Sequence, residues 1–290
     1  MTQLGFDALG GEDAWARPLV RVTPARLGTW EDCPRRYRMT YVEKVSRGGP
    51  RAASTLGAVV HLALRALHGR PPAERTPTEA AALVDRNWTG EGFRDAEQER
   101  EYRLRARTWV ADYTAEHVVG APDPLAVERW VSVATGAIVA EGRVDRIDAA
   151  EGSPAGPSIG SAVIVDYKTG RHVPSESDAR DSAALVLYAV AAASTLRRDC
   201  RRVELHHLPS GTVAAWEHDD ASLAAHRARA ERGALAAADA TEALAAGGDP
   251  DALFPPRPAP RCASCDVRRA CPEGQAVGPA AAPWDQLVAR

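Results

Sequence analysis

The sequence predicts an α/β fold on three observations. Apolar residues recur at helical spacing through roughly the first 120 residues, the period changes to two after Pro122 and Pro124, and helical and strand-like stretches then alternate to about residue 246. Its 290 residues, 45% of them hydrophobic, suffice for one large domain or two ordinary ones.

Residues 24 to 43 read as a helix, with Thr23 placed to cap it, Pro24 in its first turn, and an interruption at Cys33 and Pro34. Ser54 and Thr55 are candidate caps for a second helix to His68, in which Leu56, Val59, Val60, Ala63 and Leu67 share a face. Pro71, Pro72 and Pro77 end it. Two more helices are expected, from Pro77 to about Trp88 and from about Arg94 to Val118, the second carrying Arg100, Arg103 and Arg107 as a stripe whose plain reading is a solvated face. Strands follow at 125–133, 137–148 and 161–167, joined by a turn at Gly136 and a Gly-, Ser- and Pro-rich loop at 151–160. A helix from about Asp178 to Leu196, strands near 203–208 and 212–217, and an alanine-rich helix from Ala221 to Ala246 complete the pattern.

Charge narrows the function. Lys+Arg is 36 and Asp+Glu 39, a net charge of −3, which excludes nucleic-acid binding by bulk positive charge. The only lysines are Lys44 and Lys168, and neither follows a glycine, so no phosphate-binding ATPase loop is present. The N-terminal segment has neither a basic start nor an apolar run, and the longest apolar stretch, Ala183 to Ala193, is too short to span a bilayer; a cytoplasmic protein without a membrane partner is expected. Of five cysteines, Cys33 and Cys200 stand alone and Cys262, Cys265 and Cys271 crowd together, a spacing that suggests metal ligation rather than a disulfide framework.

In the strand at 137–148, alternation puts Glu141, Arg143 and Asp145 on one polar face. The next strand is an apolar run, Ala162 to Val165, ending in Asp166-Tyr167-Lys168, so Asp166 and Lys168 lie on one side. A carboxylate and an ammonium at the end of a buried strand, beside Asp145, can hold a hard divalent cation such as Mg²⁺ or Mn²⁺ and a water, which is an apparatus for phosphodiester hydrolysis. An ordinary surface Asp-Lys pair is the alternative.

Gly142-Arg-Val-Asp-Arg-Ile-Asp148 followed by Ile164-Val-Asp-Tyr-Lys-Thr-Gly170 resembles the core of the PD-(D/E)xK nuclease superfamily, in particular its RecB-type branch. That branch carries a Gly-x-x-x-His helix, matched here by Gly57 and His61. The resemblance implies a restriction-endonuclease-like mixed sheet flanked by helices, with metal held by His61, Asp145, Asp166 and the Tyr167 carbonyl, and Lys168 catalytic. It also places Tyr188 at the site, one turn after Ala184, where relatives carry a glutamine. Some RecB-type nucleases hold a 4Fe-4S cluster on one N-terminal and three C-terminal cysteines; Cys33, Cys262, Cys265 and Cys271 match that layout, with zinc as the other possible occupant. Cys200 matches no position of the pattern and reads as a plain buried cysteine.

The expected organisation is a flexible residue 1–20 segment, one nuclease domain over 21–275 with a C-terminal iron-sulfur patch closing the chain ends, and a flexible tail at 276–290. The function implied is a metal-dependent deoxyribonuclease acting on single-stranded DNA, as an exonuclease, in repair or recombination. Arg35, Arg36 and Arg38 beside Tyr37 are candidate DNA contacts, or else a salt-bridged helix face. Two other readings remain: a non-catalytic DNA-binding or scaffold protein, for which Ala184 is the support, and a CRISPR-associated adaptation nuclease, which shares these motifs and differs in partners. A helicase or an adaptation protein is the partner each nuclease reading implies.

Overall fold

The computed structural model describes residues 18–150 and 160–287. Nearly all of the loop expected at 151–160, and all but the last residues of the N-terminal segment expected to be flexible, lie outside the described residues. Helix α1 (Pro24–Asp32) starts at Thr23, whose hydroxyl accepts the Arg26 N–H at 3.3 Å. Cys33 is extended and stops it, and Pro34 restarts the chain as α2 (Pro34–Tyr37), which runs into a π-helical turn over Arg38–Val42. Helix α3 (Ala52–His68) begins earlier than its sequence suggests. Neither Ser54 nor Thr55 caps it; the Ala52 N–H donates instead to the Pro283 carbonyl at 3.1 Å, so a far segment of the chain supplies the acceptor. Thr76 and Asp95 cap α4 (Pro77–Asn87) and α5 (Ala96–His117). Two members of the arginine stripe on α5 bind α4, with Arg103 and Arg107 at 2.7 and 3.5 Å from the Asp85 carboxylate, in keeping with the plain reading.

The sheet comprises β1 (Val20–Val22), β2 (Ala126–Ala134), β3 (Ile138–Ala149), β4 (Ser161–Lys168), β5 (Asp199–His207) and β6 (Thr212–Glu217). Strand order is β1-β3-β4-β5-β6, with β2 also paired to β3. Pairings β1/β3 and β4/β5 are parallel and the rest antiparallel, which makes the sheet mixed. Because β2 occupies one edge of β3 along residues 139–147, β1 (at 138–140) and β4 (at 146–149) share the other. Residues 141–145 of β3 therefore face a gap between two neighbours. β1 falls at the end of the segment expected to be flexible; three residues are too few to show a period.

After β4, the helix expected as one unit is two, α6 (Glu176–Asp181) and α7 (Ala183–Leu196). Ser182 between them is extended and caps α7 by accepting the Leu185 N–H. The chain then runs through β5 and β6 to the long α8 (Asp220–Ala245), the short α9 (Pro250–Leu253) and finally α10 (Pro272–Ala276).

β4 is buried on both faces, and its alternation assigns each residue to a layer. Val163, Val165 and Tyr167 pack with α3, α4 and α5, while Ala162 and Ile164 pack with Leu185, Ala189 and Ala192 of α7. The C-terminal tail departs from the flexible segment expected there: Leu287 is buried, Trp284 packs on the α3–α5 core, and the Ala281 N–H donates to Ala263 O at 2.8 Å.

His68, at the end of α3, gives the fold a pH dependence. Both its ring nitrogens are buried without a hydrogen-bond partner among the described residues, in a cavity of about 110 Å³ shared with Arg75 and Arg146. Burial first, and then the two guanidinium groups, push its pKa from 6.5 down to about 4. The unfolded chain thus binds the proton more readily. Stability from this group is complete above about pH 6.5 and is lost as pH falls toward 4, at a cost of about 2 kcal/mol by pH 5. His68→Gln is expected to show a smaller drop in Tm between pH 7.5 and pH 5 than wild type; equal drops would remove His68 as a source.

Candidate active site

The site forms where β3 and β4 part. Their ladder ends at Arg146 and Val165, one residue short of Asp145 and Asp166. Beyond that point the Asp145 side chain takes over from the backbone, its Oδ2 accepting the Tyr167 N–H at 2.9 Å. Helix α3 brings His61 to the same place: Nδ1 lies 3.3 Å from Asp145 Oδ1, and Nε2 lies 3.2 Å from the Tyr167 carbonyl oxygen. Gly57, one turn earlier, lets the helix sit close, since a Cβ there would stand 3.2 Å from Thr169 Oγ1. His61, Asp145 and the Tyr167 carbonyl thus meet at one strand end, and the Asp166–Lys168 ion pair stands on the two residues flanking Tyr167.

Asp166 Oδ2 is buried, with the Lys168 ammonium as its contact. Burial raises the Asp166 carboxyl above the usual range; Lys168 opposes the shift and Asp145 adds to it. Burial disfavours protonated His61, but the Asp145 carboxylate outweighs that and holds its pKa above the ordinary value.

One residue of the site is absent from the sequence reading. Val127 pairs with Arg146 and Arg129 with Val144, so Glu128 stands opposite Asp145. The Glu128 rung itself is missing, and its backbone is left-handed, with φ 50°. A non-glycine residue in that region stores strain on the order of 1–3 kcal/mol, which a functional placement can justify. Glu128 is bound by Arg143 at 2.8 Å, and its side chain is only 11% exposed. His61, Glu128 and Asp145 are the only His, Cys, Asp or Glu residues, among those described, that bring three ligand atoms within 4.8 Å of one another.

Carboxylates facing one another across strands repel unless a cation lies between them. Carboxylate oxygens, a carbonyl and one imidazole are a donor set that fits Mg²⁺ or Mn²⁺. Asp145, Glu128 and His61 line an open groove of about 710 Å³ with Gly57, Gly142, Arg143 and Tyr188. Lys168 opens into a neighbouring groove of about 480 Å³ beside His172 and Asp178. Tyr188 lies against Gly142, where a Cβ would stand 2.6 Å from its ring, and its hydroxyl is pushed up to about 12 by burial and then by Asp166 and Asp145. Ala184, one turn earlier on α7, is half-buried and adds no polar group.

The four cysteines from the two ends of the chain line one small cavity, about 30 Å³, with Met39, Val267 and Gly274. The Gly274 N–H donates to Cys271 Sγ at 3.3 Å and the Arg257 N–H to Cys33 Sγ at 3.5 Å. A Cβ on Gly274 would stand 3.3 Å from Cys271 Sγ, so only glycine leaves that sulfur free. No three of these sulfurs lie within 4.8 Å of one another. Cys200 is buried apart from them, its thiol pushed up to about 12 by burial.

Arg35, Arg36 and Tyr37, expected to contact DNA, are placed differently. Arg35 is 5% exposed and ion-paired to Asp251 and Glu273, and Arg36 binds Asp266 at 2.9 Å. Tyr37 packs edge-on against Trp30 and beside Tyr41. Arginines next to an aromatic look the same in sequence whether they meet phosphates or carboxylates; here the carboxylates belong to the segments that carry or flank the C-terminal cysteines.

Residues 21–272 match the family model of the PD-(D/E)XK nuclease superfamily. A crystal structure of a protein from Eubacterium rectale, named a candidate exonuclease, is similar over 93% of this chain and 94% of its own, at 10% identity and a TM-score of 0.49. No curated protein matches the sequence.

Proposed function

The chain belongs to the PD-(D/E)XK nuclease superfamily, and from that premise we propose a Mg²⁺- or Mn²⁺-dependent deoxyribonuclease of the RecB type that digests single-stranded DNA from an end, in repair or recombination. The observation that carries this reading is the convergence of His61, Asp145, Asp166, the Tyr167 carbonyl and Lys168 where β3 and β4 part. The cation, when bound, polarises the phosphodiester and acidifies a water.

The rest falls to the protein's own groups. Asp145 is fixed by the Tyr167 N–H, so one oxygen is committed to the backbone while the other faces His61. Asp166 supplies a buried carboxylate oxygen. Lys168, held beside it, orients the attacking water and stabilises charge that develops on the phosphate. Tyr188 closes the floor of the groove over Gly142.

We further propose that Cys33, Cys262, Cys265 and Cys271 hold a 4Fe-4S cluster. One zinc at Zn–S distances of about 2.3 Å needs its sulfurs roughly 3.8 Å apart. Four thiols in a one-plus-three layout line one cavity, two of them receiving backbone N–H groups, and that layout supports a cluster. In this reading residues 21–275 act as one nuclease domain with its ends joined, working in the cytoplasm on DNA. Among the described residues, no helix is long and apolar enough to cross a membrane.

The test is digestion of end-labelled single- and double-stranded DNA by anaerobically purified protein, with and without Mn²⁺ or Mg²⁺. Metal-dependent shortening of the single strand from one end is expected. Absence of cleavage on every DNA and metal would overturn the enzyme in favour of a non-catalytic DNA-binding protein, consistent with Ala184.

A further inference from the structure

The groove over the metal site has an aromatic wall that hydrolysis itself does not require. Trp130 on β2 is 54% exposed and lines this groove, directly across the ladder from Arg143. It has no ring partner and no cation–π partner among the described residues. An unburied tryptophan forgoes about 2 kcal/mol of apolar burial, so its position on the lip of a charged site calls for a reason. The same groove is lined by Leu62 of α3, 44% exposed and next to His61 in sequence. These two are the only large apolar side chains exposed in this groove among the described residues. Ala58 lines the same groove with no more than a methyl group, and the groove is open to solvent.

Charge accompanies the apolar walls. Arg65, one turn beyond His61 on the same helix face, is exposed and has no side-chain partner among the described residues. Arg143 is held by Glu128, yet its side chain remains 60% exposed. The groove therefore offers a carboxylate and imidazole centre for a cation, two guanidinium groups for phosphates, and an exposed indole together with an exposed aliphatic side chain.

We infer that Trp130 stacks on an unpaired nucleobase, clamped from the other side by Leu62, while Arg65 and Arg143 hold the flanking phosphates. The inference rests on the nuclease reading and adds to it why the substrate is single-stranded. In a duplex both faces of a base are covered by its neighbours, whereas in a single strand or a frayed end a face is free for an aromatic side chain. Trp130 is thus a specificity and positioning residue; it does not touch the reacting atoms.

The experiment compares two short oligonucleotides, oligo-dT and a strand of equal length made of abasic sites, binding wild type, Trp130→Ala and Trp130→Phe in Ca²⁺, with cleavage then measured in Mn²⁺. Trp130→Ala is expected to weaken oligo-dT binding about tenfold, the size of one lost stack, and Trp130→Phe to recover most of it. The abasic strand is expected to bind wild type as weakly as oligo-dT binds the alanine variant, and to be indifferent to the substitution. In Mn²⁺ the loss should fall on KM more than on kcat. Equal affinity of Trp130→Ala and wild type for oligo-dT would overturn the stack while leaving metal-dependent cleavage, and so the nuclease reading, intact. If wild type neither binds nor cleaves oligo-dT, the single-stranded substrate is overturned and the stack fails with it, whereas the nuclease reading falls only if duplex DNA is also left uncut.

Discussion

Lys168→Ala is expected to cut DNA about 10³-fold more slowly than wild type while still binding Mn²⁺, and Asp166→Ala to lose both cleavage and most of the metal affinity. The two outcomes differ because the residues do different work. Lys168 contacts Asp166 and offers its charge to the water and the phosphate; removing one such group from a preorganised site typically costs 10²–10³ in rate, and removing a proton-handling group up to about 10⁴. Asp166 offers a buried carboxylate oxygen beside Lys168, and in the proposed site its loss removes a ligand. The double variant should be no slower than Asp166→Ala, because groups that act as a unit do not add. Calorimetry with Mn²⁺ read beside the cleavage rate separates the roles. Metal-dependent cleavage at the wild-type rate by Asp166→Ala would sink the assignment of the site.

What the sequence made legible follows physical range. The β4 run from Ala162 to Val165 and the Asp-x-Lys at its end are local, and alternation alone puts Asp166 and Lys168 on one side. The break at Cys33 and Pro34 is local too, and the structure keeps it. Glu128 was within reach but not found: it lies about as far before the turn at Gly136 as Asp145 lies after it, which is what places the two opposite each other in an antiparallel hairpin. Hairpin register was the available signal, whereas the left-handed backbone at Glu128 had none. The break at Ser182 carried a capping serine, masked by the apolar run on its C-terminal side. The start of α3 was beyond local reading, because its acceptor is Pro283. Likewise nothing near Arg35 in sequence announces Asp251 and Glu273, more than 200 residues away. Non-local partners decided each of these, and a single sequence does not record them.

Those same ion pairs tie the two ends of the chain together. Cys33→Ser is expected to give a colourless protein with Tm lowered by about 10 °C, whereas Cys200→Ser keeps the brown absorption and the wild-type Tm. Cys33 is the only proposed cluster ligand in the first half of the chain, so a link to Cys262 through the metal would close a loop of well over 200 residues. Cross-linking a loop of that size is worth about 5 kcal/mol in chain entropy, and in a protein this large each kcal/mol moves Tm by roughly 2–4 °C. The full shift is not expected, because Arg35 still binds Asp251 and Glu273 and Arg36 still binds Asp266, holding the two ends near each other without the metal. Pairing Cys33→Ser with Arg35→Met should therefore lower Tm by more than the two single changes together, since each link makes the other's loop shorter to close. Visible absorption, iron and sulfide analysis and thermal unfolding read the three quantities separately. A colourless wild type with one zinc per chain would overturn the iron-sulfur assignment and leave the tie between the chain ends standing; a Cys33→Ser variant as brown and as stable as wild type would remove Cys33 from the site.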